Sequence, residues 1–267
     1  MTPLYILKLG GGLITEKDLP WPPTVRKADL KRIAKEIAKA LKQSTIKLII
    51  VHGAGNYGHP IVKQSKIHEG IQESDNIQEK LLRLGETQTL QNMLNTEVCN
   101  ALIQEKVPAF PYQPSSIATM KERHMIEEFD TSIIEGLLDL GIVPVLYGVP
   151  ALDASQKISI LSGDDLVPYL SQKLKADSSI YATREEGVQD EEGKTIPRIT
   201  HKNYRQASKS LQESSAPDVT GGMEAKIAKI LQTKNMQAMI INGNQPDTIL
   251  KALQGKKTEG TIVDTRG

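Results

Sequence analysis

Cysteine is almost absent from this chain. The single one, Cys99, excludes a disulfide within the chain and suits a reducing compartment. It lies in a helix-like segment and reads as a small apolar packing residue. Long apolar runs are missing too: none reaches the about 18 residues that a membrane-spanning helix needs. The first residues enter strand-like sequence at once, so no signal peptide is expected. Neither sign of charge prevails, with 33 Lys and Arg against 32 Asp and Glu, and no long basic run is present. Nucleic acid is therefore not expected as the main partner. The expectation is a cytoplasmic protein that engages neither membrane nor nucleic acid.

What the chain does have is alternation. Apolar runs at Leu4 to Leu9, Lys47 to Val51, Ala109 to Tyr112, Val143 to Tyr147, Ser179 to Ala182 and Ala238 to Asn242 read as strands. Between them lie segments with helical spacing: Leu30 to Leu41, Glu79 to Gln104, Leu166 to Leu174 and Glu224 to Thr233. Strands alternating with helices predict an α/β fold with a mainly parallel sheet covered on both faces. The stretches 151–160 and 187–199 read as hairpins or excursions. With 267 residues and no linker-like segment, one domain with two functional lobes is the simplest organisation.

Four glycine-rich turns stand out. They are Lys8-Leu9-Gly10-Gly11-Gly12, His52-Gly53-Ala54-Gly55-Asn56-Tyr57-Gly58-His59, Ser162-Gly163-Asp164-Asp165, and Asp218-Val219-Thr220-Gly221-Gly222-Met223 with Lys226 beyond. Glycine lets backbone N–H groups approach an anion closely, and lysine adds a point charge. Four such turns suggest a site that holds several phosphate groups, as phosphoryl transfer requires. The second turn also matches the spacing G-x-G-x-x-G of dinucleotide-binding folds. That reading needs a second strand ending in an acidic residue about 20 positions on, and the polar stretch from His59 to Gln78 contains none. The P-loop pattern G-x-x-x-x-G-K-[ST] is absent as well.

Individual residues sharpen the picture. Lys8 lies near the end of an apolar strand, where an ammonium needs an anion or a route to solvent. Its neighbouring glycines favour phosphate. Lys17 is close enough along the chain to fold over a bound nucleotide. His59 closes the second turn just before Pro60, at a potential helix start, and is suited to donate to an anion. His52 is expected to fix the turn, and His68, His124 and His201 are given no role. Asp164 and Asp165 are suited to cap a helix; a carboxylate there is also placed to orient lysines. Only one of the two adjacent side chains is expected to face the site.

These turns, in this order, resemble the amino acid kinase family, and within it the branch acting on isopentenyl phosphate. The likeness extends through Gln113-Pro114-Ser115-Ser116, Ile160 to Leu170, Tyr181-Ala182-Thr183, Ile241-Asn242-Gly243-Asn244 and Glu259-Gly260-Thr261. It implies an open αβα sandwich, usually a homodimer, with the acceptor in about residues 1–150 and ATP in about residues 151–267. By the same likeness, Lys8 and Lys226 neutralise the transferring group, Lys17 contacts the nucleotide phosphates, and Asp164 holds the lysines. Gly53, Ala54, Gly55, His59 and Gly163 bind the acceptor phosphate. Gly10, Gly11, Thr183, Asp218, Gly221, Gly222 and Met223 border ATP. Mg²⁺ is expected on the ATP phosphates, without a dedicated protein cage.

The apolar face of the helix around Met93 and Leu94 is an expected wall for an isoprenoid tail, with core or dimer packing as the alternative. Three departures from the family pattern are Ala54 and Asn56 in the second turn, Arg184-Glu185-Glu186 before Gly187, and Val149 after Gly148. Alanine resists positive φ, so a differently shaped cradle is expected at Ala54. Rival readings are a phosphonate kinase of the fosfomycin type on the same scaffold, or a non-catalytic binding protein.

Overall fold

A computed structural model describes residues 2–16, 22–208 and 222–266. Its centre is an eight-stranded sheet in the order β10-β12-β11-β9-β1-β2-β6-β3. The strands are β1 (Leu4–Leu9), β2 (Lys47–His52), β3 (Ala109–Pro111), β6 (Val143–Tyr147), β9 (Ser178–Thr183), β10 (Arg198–Ile199), β11 (Gln237–Asn242) and β12 (Thr261–Asp264). All neighbours run parallel except β11 and β12. Central strands such as β1 and β2 are nearly continuous apolar runs because both their faces are covered.

Alternation along β1 and β2 sends residues to two cores. Leu7, Leu9, Leu48 and Ile50 meet α2 (Lys27–Gln43), α4 (Ile77–Gln104) and α8 (Thr248–Leu253) on one face. Ile6, Ile49 and Val51 meet α5 (Ser132–Asp139), α6 (Gly163–Lys173) and α7 (Gly222–Gln232) on the other. Lys8 has the parity of Ile6, so its ammonium is delivered to the face of α6 and α7. The mainly parallel αβα sandwich is thus present as predicted.

A second sheet, ordered β5-β4-β7-β8, was only half legible. The hairpin of β7 (Val149–Asp153) and β8 (Lys157–Leu161) matches the predicted excursion at 151–160. Its companions β4 (Ala118–Lys121) and β5 (Met125–Phe129) carry no glycine or proline at their turn. Glu122 and Arg123 adopt positive φ there instead, at 54° and 71°, so the usual turn signal is missing. The 187–199 stretch is such an excursion: it folds back through an antiparallel bridge, Gln189 to Thr195, with Ile196 N–H donating to Val188 O at 2.7 Å, then joins the main sheet as β10.

Two details brace the site. Glu36 on α2 is buried, and its Oε2 accepts from the N–H groups of Ile249 and Leu250 at 3.1 and 3.2 Å, capping α8. Arg32 bonds Glu36 Oε1 and also donates to Gly243 O, both at 2.6 Å, tying the loop after β11 to α2. On α4, Leu90, Leu94, Val98 and Leu102 form the buried stripe, whereas Met93 is 54% exposed. Met93 and Leu94 therefore do not share one wall, because adjacent helix positions point about 100° apart.

Candidate active site

The first two glycine turns lie back to back at the carboxyl ends of β1 and β2. Gly10 N–H donates to Ala182 O and Gly53 N–H to Leu9 O, each at 2.9 Å. The Gly53 amide, expected in the anion cradle, is thus engaged in holding the loop to β1. A Cβ built on Gly53 would lie 2.7 Å from Gly11 N, so neither backbone leaves room for a side chain. Positive φ falls on Gly55, at +52°, while Ala54 is helical at φ −71°. The alanine departure consequently leaves the turn unstrained, which corrects the expectation of an altered cradle. Thr15 Oγ1 accepts from Asn56 N–H at 3.2 Å and fastens this loop to α1 (Gly11–Ile14) and its end.

The charged centre is built on Asp164. Lys8 Nζ lies 2.6 Å from Asp164 Oδ2, and Lys226 Nζ lies 2.7 Å from Asp164 Oδ1. One carboxylate bridges two ammonium groups from different elements. Ser162 Oγ accepts from Asp164 N–H, and Asp165 Oδ2 accepts from Ser162 N–H, closing a capping box on α6. Asp165 turns away from the Lys8 pair. It binds Lys229, one turn beyond Lys226 on α7, and its Oδ2 lies 3.7 Å from His124 Nδ1. As expected, only one aspartate faces the lysine pair.

Burial governs the protonation of this group. Lys8 is 7% exposed, and desolvation brings its pKa down to about 8 even though Asp164 opposes the shift. Burial pushes the Asp164 carboxyl upward, but Lys226 and Lys8 outweigh it and hold it well below the usual carboxylate range. Gly163 makes the approach possible: a Cβ there would lie 3.1 Å from Lys8 Cε and 3.3 Å from Val51 Cγ1.

The two histidines of the second turn differ in kind. His59 is half-buried as the first residue of α3 (His59–Ser65), with Gly58 as its N-cap. His52 is fully buried, stacked on Tyr147 with ring centroids 5.3 Å apart. Its Nδ1–H donates to Gly53 O and its Nε2 accepts from Asn95 Nδ2, both at 3.1 Å. Burial lowers its pKa to about 4, so it is neutral near pH 7. Its partner Asn95, on α4, also donates to Val145 O. His52 fixes the turn, and the sequence offered no sign of Asn95.

The amino acid kinase family profile matches residues 3–242. The chain belongs to the amino acid kinase family. Within the family, it is 38% identical to an isopentenyl phosphate kinase of Methanocaldococcus jannaschii, with 98% of each chain covered. It is 36% identical to the isopentenyl phosphate kinase of Methanothermobacter thermautotrophicus, covering 97% of this chain and 98% of the other. A solved isopentenyl phosphate kinase structure superposes with a TM-score of 0.79 at 33% identity, covering 97% of this chain and 99% of that one.

The residues expected from sequence to border a nucleotide are described in part. Thr183 ends β9, its carbonyl accepts from Gly243 N–H at 2.8 Å, and its Oγ1 accepts from Glu185 N–H at 3.1 Å. Gly222 opens α7 at φ +62°, and Met223 follows, packed against the core beneath α6 and α7. Lys17, Asp218 and Gly221 lie outside the described residues. Of the site residues read from sequence, the structure brings Lys8, Gly163, Asp164 and Lys226 together. It groups Gly10, Gly11, Gly53, Ala54, Gly55 and His59 in the two apposed turns. Lys229 was overlooked, although its spacing of three from Lys226 mirrors the adjacent Asp164 and Asp165 on α6. Among the described residues no cluster of three or more His, Cys, Asp or Glu is arranged for a metal ion.

Proposed function

We propose that this chain transfers the γ-phosphoryl group of MgATP to isopentenyl phosphate, giving isopentenyl diphosphate and ADP in isoprenoid biosynthesis. The observation that carries the reaction class is the Lys8–Asp164–Lys226 bridge beside two apposed glycine turns. The substrate follows from the likeness to isopentenyl phosphate kinases over nearly the whole chain.

An oxygen of the acceptor phosphate forms a bond to the γ-phosphorus as the bond to the β,γ-bridging oxygen breaks, and ADP leaves. A phosphate monoester with a second pKa of about 6 is mostly dianionic at neutral pH, so no base has to remove a proton. Catalysis is then alignment and neutralisation of charge on the equatorial oxygens. Lys8 and Lys226 supply that charge, Lys17 joins them on the nucleotide phosphates, and Asp164 keeps the first two apart and aimed. His59 and the amides of Ala54 and Gly55 hold the acceptor phosphate, with Gly53 and Gly163 shaping its seat. Gly10, Gly11, Thr183, Asp218, Gly221, Gly222 and Met223 border ATP. Mg²⁺ arrives as part of the nucleotide substrate: Asp164 and Asp165 are both engaged by lysines, which leaves them poorly suited to bind a resident metal.

We place the acceptor in the lobe of about residues 1–150 and ATP in that of about 151–267, both within one domain. A homodimer through the β3 edge is supported by Phe110 on that strand, 44% exposed, and by Met93 and Ile103 on the neighbouring α4. The cytoplasm suits the single buried thiol. Partners other than these small molecules and a second copy are not proposed: the charge is balanced, and no helix among the described residues is long and apolar enough to cross a membrane.

The test is ADP release with MgATP and, side by side, isopentenyl phosphate, dimethylallyl phosphate or fosfomycin, with and without EDTA. Turnover on the prenyl phosphates that EDTA abolishes is the expected result. Silence on isopentenyl phosphate would overturn the substrate, and turnover confined to fosfomycin would move the acceptor to a phosphonate. His59→Gln is expected to lose most turnover through a raised acceptor KM; unchanged turnover would remove His59 from the acceptor site.

A further inference from the structure

We infer that Tyr181 is a positioning residue whose ring face holds the Lys8 and Lys226 ammonium groups side by side above Asp164. The inference rests on the kinase reading for its catalytic meaning, but its geometry stands independently. Tyr181 is on β9, in register with Lys8 on β1 and Ile240 on β11, and is 1% exposed. Lys8 Nζ lies 5.8 Å and Lys226 Nζ 5.5 Å from the centre of its ring. Both distances are within the reach of a cation–π contact, which strengthens when water is excluded.

The charge balance explains why such a floor is useful. The ionisable groups gathered here are Lys8 from β1, Asp164 and Asp165 from α6, Lys226 and Lys229 from α7, and His124 from the β4–β5 turn. Among the described residues three lysines meet two carboxylates, which leaves one positive charge in excess before any phosphate arrives. Lys8 and Lys226 share Asp164 and also repel each other. The negative face of an aromatic ring offsets that repulsion without being a carboxylate. A third carboxylate would balance the excess charge, but it would then compete with the incoming phosphates for both lysines. A ring weakens the repulsion and leaves the ammonium groups free to turn toward the nucleotide.

The ring, rather than the hydroxyl, is the part of Tyr181 that faces the two ammonium groups. Tyr181 Oη is buried and has no hydrogen-bond partner among the described residues. Both ammonium groups lie over the ring, so an aromatic face is the property that Tyr181 is inferred to supply to the lysines. This separates ring from hydroxyl by substitution.

Tyr181→Phe, Tyr181→Leu and Tyr181→Met are compared, the last two removing the aromatic face with a branched and an unbranched chain of nearly equal volume. The first readout is the titration of Lys8 followed by NMR in protein labelled at lysine Cε, with the Lys8 resonance assigned from Lys8→Arg. The second is the pH profile of kcat with saturating MgATP and isopentenyl phosphate. Tyr181→Phe is expected to titrate like the parent and keep kcat within about threefold. Tyr181→Leu and Tyr181→Met are expected to lower the Lys8 pKa by at least about half a unit and kcat by about tenfold or more. The alkaline limb moves down with the pKa, and the KM for ATP changes less than kcat.

An unshifted Lys8 titration in the folded Leu or Met variant would overturn the inference. So would a Phe variant as impaired as Leu. Because the titration needs no substrate, a parent protein inactive on isopentenyl phosphate would contradict the proposed reaction and leave this test intact.

Discussion

Gly11 and Gly55 are so close that a Cβ built on Gly11 would lie 2.2 Å from Gly55 N. The end of the first strand and the end of the second are thereby locked together at the point where the proposed acceptor and nucleotide sites would meet. The contact is backbone against backbone, so no rotamer change can relieve an added methyl group.

Gly11→Ala is therefore expected to push the two turns apart. Overpacking of this kind typically costs about 1–3 kcal/mol, and displacement of a reacting group by about 1 Å can cost about 100-fold in rate. Thermal melts and steady-state kinetics on the purified variant check both. A variant with parental Tm and kcat would show that the loops can part freely.

Asp164→Asn removes the charge that both lysines share. Two buried ammonium groups then face each other with no counterion, and loss of one partner from a buried pair costs about 3–5 kcal/mol. Turnover is expected to fall by about 100-fold or more, because the lysines lose their fixed spacing. Asp165→Asn, which leaves the bridge intact, is expected to reduce turnover much less. Equal losses in the two variants would place the important carboxylate on the wrong residue.

Lys8 links activity and stability to pH with opposite signs. Its pKa of about 8 is below the ordinary 10.5, so above pH 8 the folded form has released a proton that the unfolded form keeps. The unfolded state then binds more protons, and this group makes the fold more stable as pH rises from 8. In the proposed mechanism activity moves the other way, since only the charged ammonium would neutralise phosphate. Between pH 8 and 9, kcat/KM for MgATP is expected to fall while this group favours folding. Bound nucleotide should shift the limb in kcat to higher pH than that in kcat/KM. A Lys8→Arg variant that retains the same alkaline limb would assign it to another group.

His52 makes the complementary prediction on the acid side. Burial lowers its pKa from 6.5 to about 4, so between those values the unfolded chain takes up a proton that the folded chain refuses. Its contribution to stability is present above 6.5 and is lost as pH falls toward 4. The slope is at most about 1.4 kcal/mol per pH unit. Urea unfolding of the parent and of His52→Gln at several pH values checks this. The difference between them should shrink toward pH 4, and a pH-independent difference would rule the titration out.

The sequence by itself determined the local chemistry. The apolar runs ending in glycine specify buried parallel strands that turn sharply at their carboxyl ends, because only such strands are covered on both faces. The Ser162 to Asp165 segment specifies a capped helix start, since a cap and its acidic partner are neighbours in the chain. Lys8 announced itself as a charge in an apolar strand. Tertiary structure decided what these pieces meet.

That Asp164 takes both lysines while Asp165 takes Lys229 depends on how α7 is rotated over α6. That Met93 faces outward and Leu94 inward depends on which side of α4 the sheet covers. The β4–β5 hairpin escaped notice because Glu122 and Arg123 make a turn that usually uses glycine. Tyr181 looked like any strand residue until β1 and α7 brought two ammonium groups over its ring. Hydrophobic periodicity is encoded at separations of two to four residues, whereas pairing across about 160 residues of chain, as between Lys8 and Asp164, is set by which faces the packed sheet and helices turn toward each other.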